Sequence, residues 1–593
     1  MYISKSRFIN WTRCPMYFAM ELKHNPSGMP DIDDERERRE EMMTELREGA
    51  KSSEDSGEDE EAFDAKSSPE LEALLPYYNQ VEEEALKVAR KYFKGTFVAD
   101  SKDVHNQKLF KYDLHGHTYR CYVDIYNEND EEINIIEVKA TTNRKYIGVK
   151  DKAYLDRYSE VGKYPHDLAF QRFVIGNALR LIGEKRPVNY YLAVLNCEYE
   201  YDGARDAGGL CLYNKIKDQG IVKFLPMNDV TENYQPIILD EIAKLEGYIN
   251  RPHDVSVKTV IGKHCAWGKN TECVFWKHCF QTLRNVPDYN SANKYMYSHK
   301  SFMDKGIVGK YELIEAGKYT LLDVDEEWLK NENHKIQRSC CETGKEYVDK
   351  EKMSYWLEQI EYPIYHFDFE TFPCPLPRFK DEKPYQQSPF EFSLHIERTP
   401  GVCDKDADNF IFLNENCDDD EREKLVKAIL DHFEFNEDGT LKGTMLAQNT
   451  NFERDRLEEL AVAFPTYAAK LRAIRNKSAD LIDLLKTKEA FYTDAFGKDK
   501  AKTINYYHPD LSGSYSIKKT LPVLVPSLSY KHMDVGNGSQ AYIAYINYDS
   551  KTPTIFGGRP MYTKADRRQA LETYCQQDTW AMVEILRAVR AMI

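Results

Sequence analysis

The sequence predicts a multidomain α/β protein, and three observations support this class. The chain has 593 residues, which is more than one hydrophobic core supports and predicts three or more domains. Segments with helical periodicity alternate with short apolar segments in both halves, as in α/β folds. Carboxylate side chains also interrupt apolar strands in both halves, where their burial is costly unless they hold a cation.

The first half begins with a predicted amphipathic helix over residues 1–25. Further helices are predicted at 76–93, 166–182 and 235–250, and strands at 108–112, 118–125, 133–140 and 189–195. A polar turn at 127–130 joins two of the strands into a hairpin. A cysteine-rich loop follows at 262–280. The order of helix, hairpin, helix and strand predicts a first α/β domain over 1–285.

The second half is predicted as a mainly helical connector over 286–360, followed by a second α/β domain over 361–593. Strands are predicted near 363–369, 390–397, 409–413 and 444–448, and helices near 419–433, 451–463, 466–475 and 564–592. The two domains share the α/β class and buried acids, but the sequence contains no internal repeat.

The net charge of −17 is unevenly distributed along the chain. Residues 31–72 alone contain 18 acidic and 6 basic residues, so most of the negative charge lies there. The rest of the chain is close to neutral and can carry a basic groove for nucleic acid. The charged segment 28–72 is predicted as a mobile insert, partly helical over 34–48, which is either a solvated surface or a DNA mimic.

The sequence carries no export or membrane signal. Its first residues lack the apolar region of a signal peptide, and no run of about 18 apolar residues predicts a membrane span. Thirteen cysteines are an odd number in a chain without export features. We therefore expect a cytoplasmic protein without a membrane partner, in which some thiols can hold a metal.

The first acidic constellation consists of Asp124, Glu137 and Lys139. Glu137 and Lys139 are two residues apart on a strand, so their side chains face the same side. The hairpin can bring Asp124 beside them, and two carboxylates predict a site for Mg²⁺ or Mn²⁺. Lys139 would orient the water that such an ion activates. A simple salt bridge between Glu137 and Lys139 is the alternative.

The second acidic constellation joins residues that are far apart in the sequence. Asp368 and Glu370 share one face of a strand, and Tyr574 and Asp578 share one face of the last helix. Glu453 lies between these pairs, at the start of another helix. Four carboxylates cannot all stay ionised together without cations, so two divalent ions are predicted. Taken separately, each pair is compatible with a solvated strand end or an ordinary helix face.

The first half resembles the RecB-type branch of the PD-(D/E)XK nucleases, which includes CRISPR-associated iron–sulfur exonucleases. The resemblance lies in the strand 135–140 with Glu137 and Lys139, and in the segment 167–173, which is similar to that branch's glutamine-containing helix. It implies that Gln171 lies near the metal and the DNA backbone. The metal-facing histidine of the branch is absent here, and Glu82 or Glu83 is expected in its place.

The cysteines extend this resemblance. Cys14 stands where the branch has an early ligand, and Cys265, Cys273 and Cys279 stand where it has three late ones. The resemblance implies that these four thiolates hold a [4Fe–4S] cluster. Four thiolates equally suit Zn²⁺, and free buried thiols remain a further alternative.

The second half resembles the DnaQ-like exonucleases of the DEDD class, tyrosine subtype. The matching residues are Asp368 and Glu370, Glu453 after Asn449 and Phe452, and the pair Tyr574 and Asp578. The usual middle acid is Asp, so Glu453 predicts an altered second metal position. The chain as a whole resembles an uncharacterised bacterial family that fuses a restriction-endonuclease-like half to a ribonuclease H-like half. Lys518 and Lys519 are further candidates for phosphate contact.

These features predict a metal-dependent nuclease with two sites that hydrolyses phosphodiester bonds of DNA. The second domain is expected to act as an exonuclease at 3′ ends. Roles in repair, phage defence or CRISPR spacer processing are compatible with this prediction. A nucleic-acid-binding scaffold with degenerate sites and an RNA-processing exonuclease are the alternatives.

Overall fold

The computed structural model describes residues 1–24, 69–98, 107–215, 219–265, 273–286, 310–325, 327, 329, 331–556 and 558–593. Most of the acidic segment 28–72, including the helix expected within 34–48, lies outside these residues. By contacts the chain divides into two compact units. The described part of the first lies within 1–54, 62–283 and 373–386, and that of the second within 284–372 and 387–593. The predicted connector 286–360 falls in the second unit.

The first unit combines two sheets with surrounding helices. Its helices are α1 (Lys5–Trp11), α2 (Pro15–His24), α3 (Pro69–Tyr92), α4 (Asp151–Tyr154), α5 (Lys163–Leu181), α6 (Asn228–Asn233) and α7 (Gln235–Asn250). Its strands are β1 (Tyr2–Ile3), β2 (Thr96–Phe97), β3 (Lys108–Leu114), β4 (His117–Val123), β5 (Ile125–Glu128), β6 (Ile133–Thr142), β7 (Val188–Leu195) and β8 (Val222–Pro226). A five-stranded sheet has the order β2-β5-β6-β7-β8, and a three-stranded sheet the order β1-β4-β3.

Strand β6 occupies the centre of the larger sheet, where it pairs antiparallel with β5 and parallel with β7. Its side chains alternate between two apolar clusters. Ile133 and Ile135 pack with α1 and α5, whereas Ile136 and Val138 pack with α3 on the other side. Because Glu137 has the parity of Ile135, the strand directs this carboxylate towards α1 and α5.

The second unit surrounds another five-stranded sheet. Its helices are α8 (Lys310–Glu315), α9 (Glu332–Thr343), α10 (Lys350–Glu358), α11 (Arg422–His432), α12 (Asn451–Ala463), α13 (Ala468–Asn476), α14 (Leu481–Leu485), α15 (Glu489–Phe496), α16 (Lys498–Ala501), α17 (Ile517–Leu524), α18 (Gly538–Ile546) and α19 (Lys564–Met592). Its strands are β9 (Tyr347–Val348), β10 (Ile364–Pro373), β11 (Gln387–Glu397), β12 (Asn409–Leu413), β13 (Thr444–Ala447), β14 (Ser478–Asp480) and β15 (Tyr506–Tyr507).

The sheet of the second unit has the order β12-β11-β10-β13-β14. Strands β10, β13 and β14 are parallel neighbours, and β12 runs antiparallel to β11. One face is aromatic and packs against α11, α12 and α13 through residues such as Phe367, Phe369 and Phe392. The opposite face is polar and contacts α19, as seen where Ser393 hydrogen-bonds Thr579. This polar face places the acids of β10 under α19.

The α/β class predicted from the sequence is confirmed, with mixed parallel and antiparallel sheets in both units. The strand 409–413 and the helices 451–463 and 564–592 have the predicted bounds. The helix expected over 1–25 is wrong as one element, because a turn at 12–14 separates α1 from α2, which begins at Pro15. The strand expected over 118–125 is interrupted at Asp124, which lies between β4 and β5.

Within the described ranges, the structure contains no helix that is both long and apolar enough to cross a membrane.

Candidate functional site

The C-terminal site forms between β10 and α19 in the second unit. Asp368 and Glu370 lie on β10, the central strand of the sheet, with their side chains on its polar face. Tyr574 and Asp578 lie one turn apart on α19 and are buried. One carboxylate oxygen each of Asp368 and Glu370 and the sulfur of Cys575 lie within 4.8 Å of one another. The structure therefore brings four of the predicted residues together.

Several carboxyl groups lie close to one another at this site. Burial raises the pKa of Asp368 well above its ordinary value, and the Asp578 carboxylate raises it further. Burial also raises the pKa of Glu370, with added effects of Asp368 and Asp578. For Asp578 itself, burial raises the pKa while the Tyr530 hydroxyl, the Lys518 ammonium group and the Tyr574 hydroxyl lower it. Such a cluster favours neutralisation by a cation.

Glu453 joins the cluster from α12. It lies in the first turn of that helix and is 2% exposed, and its Oε2 atom has no hydrogen-bond partner among the described residues. Burial raises the pKa of Glu453, and among the neighbouring charges Asp368 raises it most. The middle acid predicted from the sequence thus faces Asp368.

A tight turn positions Glu453. The chain leaves β13 through Asn449, whose φ of 62° lies in the left-handed region that asparagine tolerates. The backbone N–H groups of Asn449 and Thr450 donate to the Asp480 carboxylate at 3.1 and 3.0 Å. Asp480 also accepts from the Ile482 N–H at 2.9 Å, where it caps α14. Asp480 is therefore a positioning residue that the motif search did not find.

Of the two lysines considered for phosphate contact, only Lys518 faces the site. Its Nζ atom lies 6.0 Å from the centre of the Tyr574 ring and 5.9 Å from that of Tyr530. Lys519 is exposed. The partly buried Tyr530 and the fully buried Glu391 are further neighbours of the acids that sequence analysis missed. Glu391 lies between two phenylalanines of β11, and an acid in such an apolar strand is the signal that could have indicated it.

The N-terminal site forms where β6 meets α1 and α5. Glu137 is fully buried, and its Oε1 atom lies 2.7 Å from Lys5 Nζ and 2.9 Å from Lys139 Nζ. Gln171, also fully buried, donates its side-chain N–H to Oε2. Although burial raises the pKa of Glu137, the two ammonium groups lower it to about 2. The structure therefore brings Glu137, Lys139 and Gln171 together and adds Lys5, which belongs to no motif in the sequence.

Asp124 lies beside this group at the start of β5. Its carboxylate accepts from the Gln107 side chain at 2.9 Å and from the Val138 N–H at 2.8 Å. Burial raises the pKa of Asp124, and the charges of Glu137 and Glu82 raise it further. Glu82 thus faces the site, whereas Glu83 is exposed. Every oxygen of Asp124 and Glu137 has at least one N–H donor here, so any ion that binds would share these carboxylates with the donors.

The four predicted cysteines line one cavity in the first unit. Cys14, Cys265, Cys273 and Cys279 share it with aromatic side chains such as Phe275. Burial raises the pKa of Cys14 to about 11, and Cys273 and Cys265 add to this effect. Across the described residues, no three of these sulfurs lie mutually within 4.8 Å, whereas a tetrahedral zinc ion with Zn–S bonds of about 2.3 Å holds sulfurs about 4 Å apart.

Arg13, in the turn between α1 and α2, connects this turn to the loop that carries Cys265. Its guanidinium group donates to the backbone oxygen of His264 and, at 3.2 Å, to that of Cys265. The Cys265 oxygen also accepts from the Cys273 N–H at 2.8 Å. These contacts bring early and late cysteines together through the backbone, independently of any bound group.

Two comparisons with known proteins gave matches over parts of the chain. Residues 365–516 match a family described as "Domain of unknown function (DUF2779)". This match contains Asp368, Glu370 and Glu453 and ends before Tyr574 and Asp578. "Uncharacterized protein UU173" of Ureaplasma parvum serovar 3 (strain ATCC 700970) is 27% identical over 244 residues, which are 38% of this chain and 31% of that relative. The match thus spans about a third of the relative's own length.

Proposed function

We propose that this protein is a metal-dependent nuclease whose C-terminal site removes nucleotides from the 3′ ends of DNA. One observation carries the proposal. Carboxylates from β10, α12 and α19, which are far apart in the sequence, face one another in a buried cluster beside Tyr574. A ribonuclease H-like fold for 361–593 and a PD-(D/E)XK fold for 1–285 are part of the proposal.

The residues of the cluster fit two divalent cations, Mg²⁺ or Mn²⁺ in the usual form of this chemistry. Asp368, Glu370, Glu453 and Asp578 offer only oxygen donors, and unpartnered buried oxygens remain on Glu453 and Asp578 among the described residues. Bound there, such ions would activate a water molecule and stabilise the leaving 3′ oxygen.

The remaining side chains suit a phosphodiester substrate. The Tyr574 hydroxyl lies near the Asp578 carboxylate, so it can orient an attacking water by a hydrogen bond. The Lys518 ammonium group is near the same acids and can contact the oxygens of the scissile phosphate. The fully buried thiols of the chain form no disulfide, which supports a reducing, cytoplasmic location.

The test is 3′ nucleotide release from a 5′-labelled single-stranded DNA in Mn²⁺ or Mg²⁺. We expect the double variant Asp368→Asn, Glu370→Gln to lose release by roughly 10³-fold or more, because ground-state cation binding and activation of water both fail. Asp438→Asn, which alters an exposed turn acid, serves as the matched control. Unchanged release by the double variant would refute the proposal.

The N-terminal site is proposed as a second nuclease centre, with Asp124, Glu137, Lys139 and Gln171 as its residues. Glu137→Gln separates its contribution, because this change leaves the acids of the second unit intact. Cleavage that persists in the double variant of the C-terminal site and disappears when Glu137→Gln is added belongs to the N-terminal site.

A nucleic-acid-binding function without cleavage at the N-terminal site is the second candidate. It is favoured by the five N–H donors that contact the carboxylates of Asp124 and Glu137. Tight binding of labelled single strands without cleavage across several metals would support it. Matched DNA and RNA oligonucleotides in the same assays distinguish a DNA substrate from an RNA substrate.

A further inference from the structure

A thiol lies inside the acidic cluster of the C-terminal site. Cys575 follows Tyr574 on α19 and is fully buried. Its sulfur lies within 4.8 Å of a carboxylate oxygen of Asp368 and of one of Glu370. Across the described residues this is the one group of three His, Cys, Asp or Glu side chains whose donor atoms approach one another so closely. Nothing in the nuclease proposal uses this sulfur.

An unsatisfied acid faces the same group. Glu391 on β11 is fully buried, and neither of its carboxylate oxygens has a hydrogen-bond partner among the described residues. Burial raises the pKa of Cys575, and among the neighbouring charges that of Glu391 raises it most. The Glu391 charge also raises the pKa of Glu370. A buried carboxylate without partners is costly, and a neighbouring cation would remove this cost.

The donor types distinguish between cations. Mg²⁺ requires oxygen ligands in near-ideal octahedral geometry and gives up its water reluctantly. Thiolate sulfur is a soft ligand that favours ions such as Zn²⁺, Fe²⁺ or Co²⁺. A pocket that adds one sulfur to two or three carboxylates therefore discriminates against Mg²⁺.

We propose that Cys575 is a metal ligand, which together with Asp368 and Glu370 holds a thiophilic first-row transition-metal ion in preference to Mg²⁺. Glu391 is the unpartnered buried acid beside this position. When the ion binds, the Cys575 thiol gives up its proton to solvent and the thiolate sulfur takes its place in the coordination shell. This inference rests on the proposed nuclease site and specifies the metal that one of its positions takes.

Cobalt is the probe for this inference. Full-length protein dialysed against EDTA is titrated with Co²⁺, and the near-ultraviolet absorption of thiolate-to-cobalt charge transfer is recorded. Wild type and Cys575→Ser share every other cysteine, including the four that line the cavity of the first unit, so their difference spectrum isolates Cys575. We expect a band in the wild type that Cys575→Ser lacks, with Co²⁺ affinity at this position at least about tenfold weaker.

Two variants serve as matched controls. Cys403→Ser replaces another buried thiol of the second unit and should keep the band. Asp368→Asn removes a carboxylate ligand, and this variant should lack the absorption band although Cys575 is intact. Cys575→Ala is used if the serine variant has an altered circular dichroism spectrum, because alanine places no hydroxyl in the buried site.

Thermal unfolding gives a second readout. Ligands that bind only the folded state raise the unfolding temperature. We expect Co²⁺ or Zn²⁺ to raise the unfolding temperature of the wild type more than equimolar Mg²⁺ does. This difference between the ions should be smaller in Cys575→Ser. Identical cobalt spectra for wild type and Cys575→Ser would overturn the inference. Loss of 3′ release in Asp368→Asn, Glu370→Gln would then still support the nuclease proposal, so the two failures are distinguishable.

Discussion

At the scale of single residues, histidine 395 shows how the polar face of the second sheet is satisfied. His395 is fully buried on β11. Its Nε2 atom lies 2.9 Å from the Lys405 carbonyl oxygen, so it carries the proton. Its Nδ1 atom lies 2.8 Å from the Thr579 hydroxyl and can accept from it. Both ring nitrogens are thus used by the neutral imidazole, and burial lowers the pKa of His395 to about 4.

The depressed pKa of His395 predicts a pH-dependent contribution to stability. The unfolded histidine titrates near pH 6.5, so the unfolded state binds more protons between about pH 6.5 and 4. The contribution is present above pH 6.5 and is lost as the pH falls towards 4. Between pH 6.5 and 4, the wild type should lose roughly 2–3 kcal/mol of unfolding free energy through this histidine. His395→Gln should not show this loss.

The measurement is denaturant unfolding of the wild type and His395→Gln at several pH values between 4 and 7. Taking the difference between the two proteins cancels the titration of other groups. His253→Gln, on a partly exposed histidine of the first unit, should leave the pH dependence unchanged. Parallel pH profiles for wild type and His395→Gln would contradict the assignment.

Residue types at short spacings could be predicted from the sequence, whereas long-range neighbours could not. Asp368 with Glu370 and Tyr574 with Asp578 are paired by local strand and helix periodicity, so their shared faces follow from the sequence alone. Lys5 reaches Glu137 from another element, and no local pattern indicates that contact. The roles of these residues in catalysis stay predictions.

At the scale of elements, the close approach of β10 and β13 depends on Gly443. Its φ of 91° lies in the region that favours glycine. A Cβ atom added there would lie 2.1 Å from the Pro363 carbonyl oxygen. That oxygen accepts from the Thr444 N–H at 3.0 Å, which begins the parallel pairing of β10 with β13. The glycine therefore fixes the register that sets Asp368 beside the helix carrying Glu453.

Gly443→Ala is expected to be strongly destabilising, because backbone at Pro363 cannot yield without breaking this pairing. We expect a loss of about 3 kcal/mol or more in the free energy of unfolding, together with loss of 3′ release. Gly439→Ala is the matched control, since Gly439 has a φ of 82° but open space around its Cβ position. Its cost should be only about 1 kcal/mol.

Chemical unfolding followed by tryptophan fluorescence measures both glycine variants. Similar losses for Gly443→Ala and Gly439→Ala would show that the positive φ alone, and not the contact with Pro363, limits this turn.

Long helices and alternating strands were predictable because their periodicity is local. The short strands β1, β2, β8, β9, β14 and β15 were missed, since two to five residues give too little pattern and their pairing depends on distant partners. The break between α1 and α2 was also missed, although Pro15 is the residue type that starts a helix. Apolar periodicity on both sides of the break concealed it.

At the scale of the whole molecule, each unit is closed by contacts between distant parts of its chain. In the first unit, Arg13 and Cys14 meet His264, Cys265 and Cys273. In the second, β9 pairs with β15, and α19 packs against β11. Such long-range closure makes the early and late segments of each unit depend on one another.

Cys14→Ser should therefore open the first unit more than the second. If Cys14 is one of four thiolate ligands, as the resemblance of the sequence implies, its removal releases the cluster or metal and the folding free energy that this group supplies. We expect faster amide hydrogen exchange in α2 and in 273–282, with little change in β10 and α19. Iron and zinc content are measured on the same samples.

Cys197→Ser, a thiol of the first unit outside the cavity, is the control for Cys14→Ser. Equal exchange rates and equal metal content in wild type and Cys14→Ser would contradict a ligand role for Cys14.

The place of α19 in the chain has a consequence for synthesis on the ribosome. The strand β10 and the helix α12 leave the exit tunnel before Tyr574, Cys575 and Asp578 have been translated. Until then, the polar face of the sheet has no cover, and its carboxylates stay open to water. A nascent polypeptide that ends before 574 lacks Tyr574, Cys575 and Asp578. The 3′ nucleotide release proposed for this centre would therefore begin only after α19 has been made, whereas the N-terminal site does not depend on this helix.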